Sequence, residues 1–341
     1  MKIVIAEKPS VARELAKVFG ATTKKDGYIE GKGYSFTWAF GHLLQLAPPQ
    51  EYGFIGWRRQ HLPMLPKKFK LGIRKIKTKD GLVEDPGVRK QLDIIKKLFD
   101  EATEIIVATD AGREGELIFR YIYYFLKCKK PFKRLWISSQ TDEAIKEGFR
   151  NLKPGTDYDT LFNSAHCRSE SDWLVGMNAT QALSISAGAR SVLSLGRVQT
   201  PTLAMICSRF LEIKHFVPQL YYQLAIQLDK DGQLFKAISV NNFDKKEEAE
   251  ELFAKIEDVA SGFPNGGKIL TVEAKPRKEP PPLLHDLSSL QQEANKRKGF
   301  TADQTLNLLQ GLYESKLVTY PRTGSRYIGD DVFAGVPNLI D

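Results

Sequence analysis

Cysteine is scarce in this chain: there are three in 341 residues, Cys128, Cys167 and Cys207, and no two form a C-x-x-C pair. That excludes a disulfide framework and a cysteine zinc site, and predicts three buried thiols. The five histidines, His42, His61, His166, His215 and His285, show no metal-ligand spacing, so structural roles are expected for all of them. No run of eighteen apolar residues occurs, and the start, Met1 to Glu7, enters a strand without a signal-peptide pattern. A cytoplasmic chain with no membrane partner is the expectation. There is no Walker motif, internal repeat or low-complexity segment. Acid is locally absent too: from Trp57 to Lys79 there are nine Lys or Arg and no Asp or Glu.

What is present is ordinary for a globular protein in apolar content, at 42%, and long enough for two to four structural units. The formal charge is +9, which favours a polyanionic partner. The acid-free stretch, interleaved with Trp57, Phe69, Leu71, Ile73 and Ile76, has two open readings: a path along a phosphate backbone, or a strand pair with one solvated basic face. The four tryptophans, Trp38, Trp57, Trp136 and Trp173, are expected in cores rather than as base-stacking platforms.

Hydrophobic periodicity divides the chain. Lys2 to Ala6 reads as a strand and Pro9 to Phe19 as an amphipathic helix; Glu104 to Thr109 is a second strand, followed by the loop Asp110 to Glu116 and a helix from Leu117 to Lys127. Lys133 to Ile137 is a third strand, and Ser139 with Asp142 offers a capping box for a helix to about Leu152. This alternation predicts a parallel sheet with helices on both faces and functional loops at the strands' carboxyl ends.

Beyond the turn at Lys153 to Asp157, helices are expected over Tyr158 to Ala187 and Arg197 to Phe210, strands within Tyr221 to Val240, and a charged surface helix over Lys245 to Ala260. Lys275 to Pro282, with four prolines in eight residues, reads as a hinge. Two helices follow, Asp286 to Lys298 and Thr301 to Ser315, the second opened by a Thr301-x-x-Gln304 box; a strand over Leu317 to Tyr320 would complete a winged-helix-like unit.

The chemistry concentrates in three places. Glu7 ends the first strand, while Asp110 and Glu114 follow the second; if those strands are neighbours, three carboxylates meet at one rim, where Mg2+ could be held by one or two of them plus water. Gly112 and Gly115 would let backbone approach a phosphate, and Lys8 and Arg113 stand beside the acids. Far away, Tyr320 lies two residues before Arg322. A phenol of pKa about 10 needs a cation beside the phosphate it attacks, which Arg322 can supply; a buried tyrosine ending a strand remains the other reading of Tyr320 alone.

Glu7-Lys8-Pro9-Ser10 and Asp110-Ala111-Gly112-Arg113-Glu114-Gly115-Glu116 resemble the Toprim fold shared by topoisomerases, primases and some nucleases. Leu195 to Leu203 and Val318 to Thr323, with Gly41 to Leu46 and Ser171 to Asn178, resemble type IA DNA topoisomerases, nearest the bacterial topoisomerase III branch. This resemblance implies a multidomain α/β chain: Toprim over 1–153, a helical DNA-gripping segment over 154–215, a β-rich arch segment over 216–277, and a winged-helix-like domain over 278–341. The toroidal fold would be incomplete, since the family's motifs downstream of the tyrosine are missing. Tyr320 would cleave one DNA strand and take its 5′ phosphate, Arg322 would stabilise the phosphate, and Glu7 and Lys8 would serve the leaving 3′ oxygen. Glu7, Asp110 and Glu114 would hold Mg2+, and Arg168, Asp172, Arg197, Gln199 and Thr200 would grip single-stranded DNA.

The implied activity is ATP-independent relaxation of negative supercoils and unlinking of DNA by a nucleoid-associated monomer, with a helicase as a further partner. Gly112 stands where the family's acidic motif often has a second aspartate. The alternatives are a Toprim nuclease or primase, which has no use for Tyr320, and a truncated single-stranded DNA-binding fragment without turnover.

Overall fold

The computed structural model describes residues 1–79, 81–137, 141–188, 191–262, 269–315, 317–321 and 324–337. In chain order the elements are β1 (Lys2–Ala6), α1 (Pro9–Val18), β2 (Thr23–Lys25), β3 (Tyr28–Gly31), β4 (Tyr34–Trp38), β5 (Leu44–Leu46), β6 (Leu71–Ile73), β7 (Lys75–Thr78), β8 (Gly81–Glu84), α2 (Pro86–Glu101), β9 (Glu104–Ala108), α3 (Arg113–Phe125), β10 (Phe132–Arg134), α4 (Asp142–Arg150), β11 (Lys153–Pro154) and α5 (Asp159–Ser186). Then come α6 (Gln199–Lys214), β12 (Ala225–Lys230), β13 (Gln233–Ile238), α7 (Lys246–Gly262), α8 (Leu287–Lys298), α9 (Ala302–Glu314) and α10 (Asp330–Phe333). Two compact units emerge, one of Met1–Thr200 with Pro282–Asp341, the other of Pro201–Pro281.

The first unit is organised by a seven-stranded sheet in the order β11-β10-β9-β1-β4-β3-β2. β10, β9, β1 and β4 run parallel; the hairpin strands β2 and β3, and the short β11, make its edges antiparallel. The expected parallel sheet is therefore mixed, because the first crossover returns through a hairpin before β4. Strand alternation makes both faces apolar. Ile3, Ile5, Ile105 and Val107 pack beneath α2, α3 and α5; Val4, Ala6, Ile106 and Ala108 pack beneath α1 and α4.

Each helix has a local cause. Pro9 and Pro86 occupy first-turn positions, where the missing N–H costs nothing. Asp85 caps α2 by accepting from the backbone N–H of Gly87 at 2.9 Å and of Val88 at 3.3 Å. α2 buries Val88, Leu92, Ile95 and Phe99, an i, i+4, i+7, i+11 stripe. α3 differs: every residue from Gly115 to Ile122 is buried, the signature of a helix sandwiched between sheet and a second helix. α8 and α9 open with reciprocal capping boxes at Asp286 with Ser289 and Thr301 with Gln304.

Several expectations fail for physical reasons. α3 starts at Arg113, so Glu114 and Glu116 belong to a helix and not to a loop. Thr141 caps α4, accepting from Ala144 N–H, whereas Ser139 lies outside the described residues. No strand forms over Leu317 to Tyr320: no neighbouring strand among the described residues offers its backbone a ladder, and the Leu317 N–H instead turns back to the Leu312 carbonyl at 3.0 Å. Cys167 and Cys207 are exposed rather than buried, the latter on α6, which buries none of its residues. Trp57 and Trp136 are likewise exposed, Trp38 is half-buried and Trp173 is buried.

The second unit holds the antiparallel hairpin of β12 and β13 and the helix α7. Asp231 and Gly232 make its turn with φ of 55° and 82°, the left-handed pair that matches strand twist. Residues 269–286, which include the proline-rich stretch, carry no helix or strand. No helix among the described residues is long and apolar enough to cross a membrane.

Candidate active site at the sheet rim

β1 and β9 are adjacent and parallel, with Ala6 opposite Ala108. Glu7 and Lys8 therefore leave the sheet beside Thr109 and Asp110. The Asp110 side chain does not cap α3; Gly112 holds that position without a side-chain cap. Its carboxylate turns instead to the far end of the chain. Tyr320 donates its phenolic O–H to Asp110 Oδ2 at 2.9 Å, and Lys8 Nζ lies 3.9 Å from the same oxygen. Lys8 Nζ also stands 5.2 Å from the centre of the Tyr320 ring, whose other flank meets Tyr313 edge-on at 5.6 Å. A hydrogen bond to a charged group contributes about 1.5–3 kcal/mol, so the phenol is firmly but replaceably held. Arg322 lies outside the described residues.

The acidic turn is fixed from below. A Cβ on Gly115 would sit 2.2 Å from the Asp110 carbonyl oxygen, so this glycine serves close packing of the turn rather than approach by a phosphate. Thr109 Oγ1 donates to the Gly115 carbonyl at 2.8 Å. Arg134, fully buried, donates through Nη1 to the carbonyls of Val107, Thr109 and Leu135, and through Nη2 to that of Asp110 at 2.7 Å. Burial lowers its pKa, while Glu116 opposes that shift from an ion pair at 3.2 Å. Glu116 also accepts from Arg120 Nε at 2.8 Å, and Arg120 reaches the Gly155 carbonyl and Asp159. These residues escaped the sequence reading, although an arginine inside an apolar strand was a visible signal.

Glu114, on the first turn of α3, faces elsewhere. Its oxygens lie 3.5 Å from His42 Nε2 and 3.8 Å from Arg168 Nη1. From there charges alternate along α5. Arg168 Nε is 3.9 Å from Asp172, and Arg197 meets Asp172 with two bonds, Nε to Oδ1 at 2.7 Å and Nη2 to Oδ2 at 3.2 Å. The Arg197 guanidinium holds the Asp172 carboxyl below its ordinary range, and Asp172 in turn raises Arg197. Thr200 accepts from the Gly196 N–H at 3.0 Å and Gln199 packs against Gly196, so both shape the turn into α6. Thr180 fastens that loop to α5 through Leu195.

The rim thus gathers Lys8, Asp110 and Tyr320, while Glu114 joins Arg168, Asp172 and Arg197. Among the described residues no three acidic, histidine or cysteine side chains are drawn together as metal ligands. Asp110 and Glu114 are nonetheless hard oxygen donors on either side of the α3 N-terminus, a donor type that suits Mg2+.

A model of the Toprim domain matches residues 2–140, and a DNA topoisomerase model matches residues 156–341. The chain belongs to the DNA topoisomerase family. It is 46% identical over 347 residues to DNA topoisomerase 3 of Bacillus thuringiensis (strain Al Hakam), covering 99% of this chain and 45% of that protein. The corresponding protein of Shouchella clausii is 44% identical over 339 residues, covering 97% of this chain and 44% of its own. Among solved structures, full-length topoisomerase I from Thermotoga maritima superposes with a TM-score of 0.63 at 25% identity, over 99% of this chain and 52% of that one. The chain spans less than half the length of the curated relatives it matches.

Proposed function

We propose that this topoisomerase-family chain carries the strand-cleaving site of a type IA enzyme, with Tyr320 as nucleophile. The observation behind this is the Tyr320 hydroxyl on Asp110 with Lys8 beside both. In the step proposed, the phenolic oxygen attacks the phosphorus of a single-strand phosphodiester and its proton passes to Asp110. The bond from phosphorus to the 3′ oxygen breaks, and that oxygen takes a proton through Glu7 while Lys8 offsets its charge. Arg322 would steady the phosphate. Religation reverses these transfers and needs no ATP, since one phosphate ester replaces another.

Asp110 and Glu114, with Glu7 at the same rim, would hold Mg2+, which supplies positive charge near the phosphates. Arg168, Asp172, Arg197, Gln199 and Thr200 would grip the strand upstream of the cut. The working division is Toprim over 1–153, a gripping segment over 154–215, an arch segment over 216–277 and the tyrosine domain over 278–341. The proline-rich stretch would be the hinge on which Tyr320 lifts with the cut end. Relaxation of negative supercoils, unlinking of DNA, action as a monomer in the nucleoid and cooperation with a helicase belong to the same proposal.

The test is a denaturing gel of the chain incubated with single-stranded DNA and Mg2+. A covalent adduct is expected, and Tyr320→Phe should abolish it. Strand cutting undiminished in Tyr320→Phe would overturn the proposal in favour of a Toprim nuclease.

A further inference from the structure

The acid-free stretch divides into two parts. Only Leu71–Ile73 and Lys75–Thr78 are strands, so a solvated strand face accounts for the cations from Arg74 onward. Arg74 pairs with Asp85, and Lys75 with Glu51. Of the earlier cations, Arg58 and Arg59 cap and open a single 3-10 turn over Arg59–His61 and Lys67 and Lys68 lie on a bend, all four exposed and none paired with a carboxylate among the described residues. Apolar side chains stand outward among them: Ile55 is 67% exposed, Trp57 45% and Leu65 63%.

This segment is pinned to α5. Asn178 clamps Met64 from both sides, accepting from its N–H at 2.6 Å and donating to its carbonyl at 3.1 Å. Trp173 donates to the Ala47 carbonyl at 2.9 Å and packs edge-on against Tyr52 and Phe69. The Lys70 N–H donates to Tyr52 Oη at 2.9 Å. The same helix carries Arg168 and Asp172, so the segment that bears these cations is fastened to the element that leads away from the rim. Fixed cations interleaved with exposed flat and apolar side chains suit a single strand, whose backbone is charged and whose bases are open to stacking; a duplex offers no such bases.

We propose that the segment around Arg58, Arg59, Lys67 and Lys68, with Trp57, is a second contact for single-stranded DNA that extends along α5 the path begun by Arg168 and Arg197. It deepens the strand-cleavage proposal and rests on it for the identity of the strand, but its test reads binding and not cleavage.

The experiment measures binding of fluorescent oligothymidylate to the whole chain as salt is raised. Each phosphate contact adds about 0.7 to the slope of log affinity against log salt for single strands, so Arg58→Ala with Arg59→Ala, Lys67→Ala and Lys68→Ala should flatten it by about 2–3. A control losing the same charge elsewhere, Lys24→Ala with Lys97→Ala, Lys129→Ala and Lys146→Ala, should leave the slope nearly unchanged. Trp57→Ala should weaken binding at least about 5-fold, the lower end for loss of one stacked base. An unchanged slope in the first variant, or an equal fall in the control, overturns the proposal. So does a fall seen with duplex and not with oligothymidylate. Failure of the wild-type chain to form an adduct would refute the cleavage proposal alone, leaving the binding result to stand or fall by itself.

Discussion

Glu114 and Glu116 sit two residues apart on α3 and so face opposite sides of one helix. Glu116 is fully buried and meets Arg134 and Arg120, which are buried with it. Glu114 is 56% exposed and heads the ladder of Arg168, Asp172 and Arg197. The buried network has no water to fall back on, so it fixes the backbone of the acidic turn in one geometry. The exposed ladder is weak pair by pair and can exchange a carboxylate for a phosphate. One helix turn thereby joins the rigid rim proposed for cleavage to the exchangeable ladder proposed to grip the strand.

The sharpest way to break this contrast is Glu116→Ala. It leaves two buried guanidinium groups without their carboxylate and should cost about 3–5 kcal/mol in a denaturant melt. A loss below 1 kcal/mol would mean the network is not what holds the rim. Next comes Gly115→Ala, whose methyl would collide with the Asp110 backbone. About 1–3 kcal/mol of stability should go, together with adduct formation, as the Asp110 carboxylate is displaced.

On the exposed side, Asp172→Ala should change stability by less than about 1 kcal/mol, while Arg197→Ala with stability preserved should weaken single-strand binding. The Asp172 carboxyl, lowered by Arg197, should titrate below its ordinary value by NMR and return to it in Arg197→Ala. Because its folded pKa is the lower one, the pair's small contribution is present above the unfolded carboxylate pKa and is lost as pH falls through the folded value. The smallest effect is expected from Gly112→Asp. Open space surrounds its Cβ position, and aspartate is a better N-cap than glycine by only a few tenths of a kcal/mol, which a thermal melt can check.

Much of this was legible in the sequence. Runs such as Lys2–Ala6 and Glu104–Ala108 declare buried strands, and Thr301 with Gln304 declares a helix start, because these signals are local. That Glu7 and Asp110 share a rim follows from β1 and β9 being neighbours, which the alternation of strands and helices made the natural guess. What could not be read was set by tertiary contact. An arginine inside an apolar strand marked Arg134 as unusual, but its carbonyl partners on Val107, Thr109 and Asp110 come from another strand and its loop, and His42 and Arg168 reach Glu114 from segments distant in sequence. The strand expected at Leu317 to Tyr320 had the composition but, among the described residues, no neighbouring strand to pair with.

Tyr320, and not another phenol, is proposed to take the DNA phosphate. Tyr313 packs against its ring and is the nearest rival in the described structure. Digestion of the covalent adduct followed by mass spectrometry of the nucleotide-bearing peptide locates the linkage. Phosphate ester on Tyr320 is the predicted result; linkage on Tyr313 or Tyr327, or no linked tyrosine in a cleaving enzyme, would contradict it.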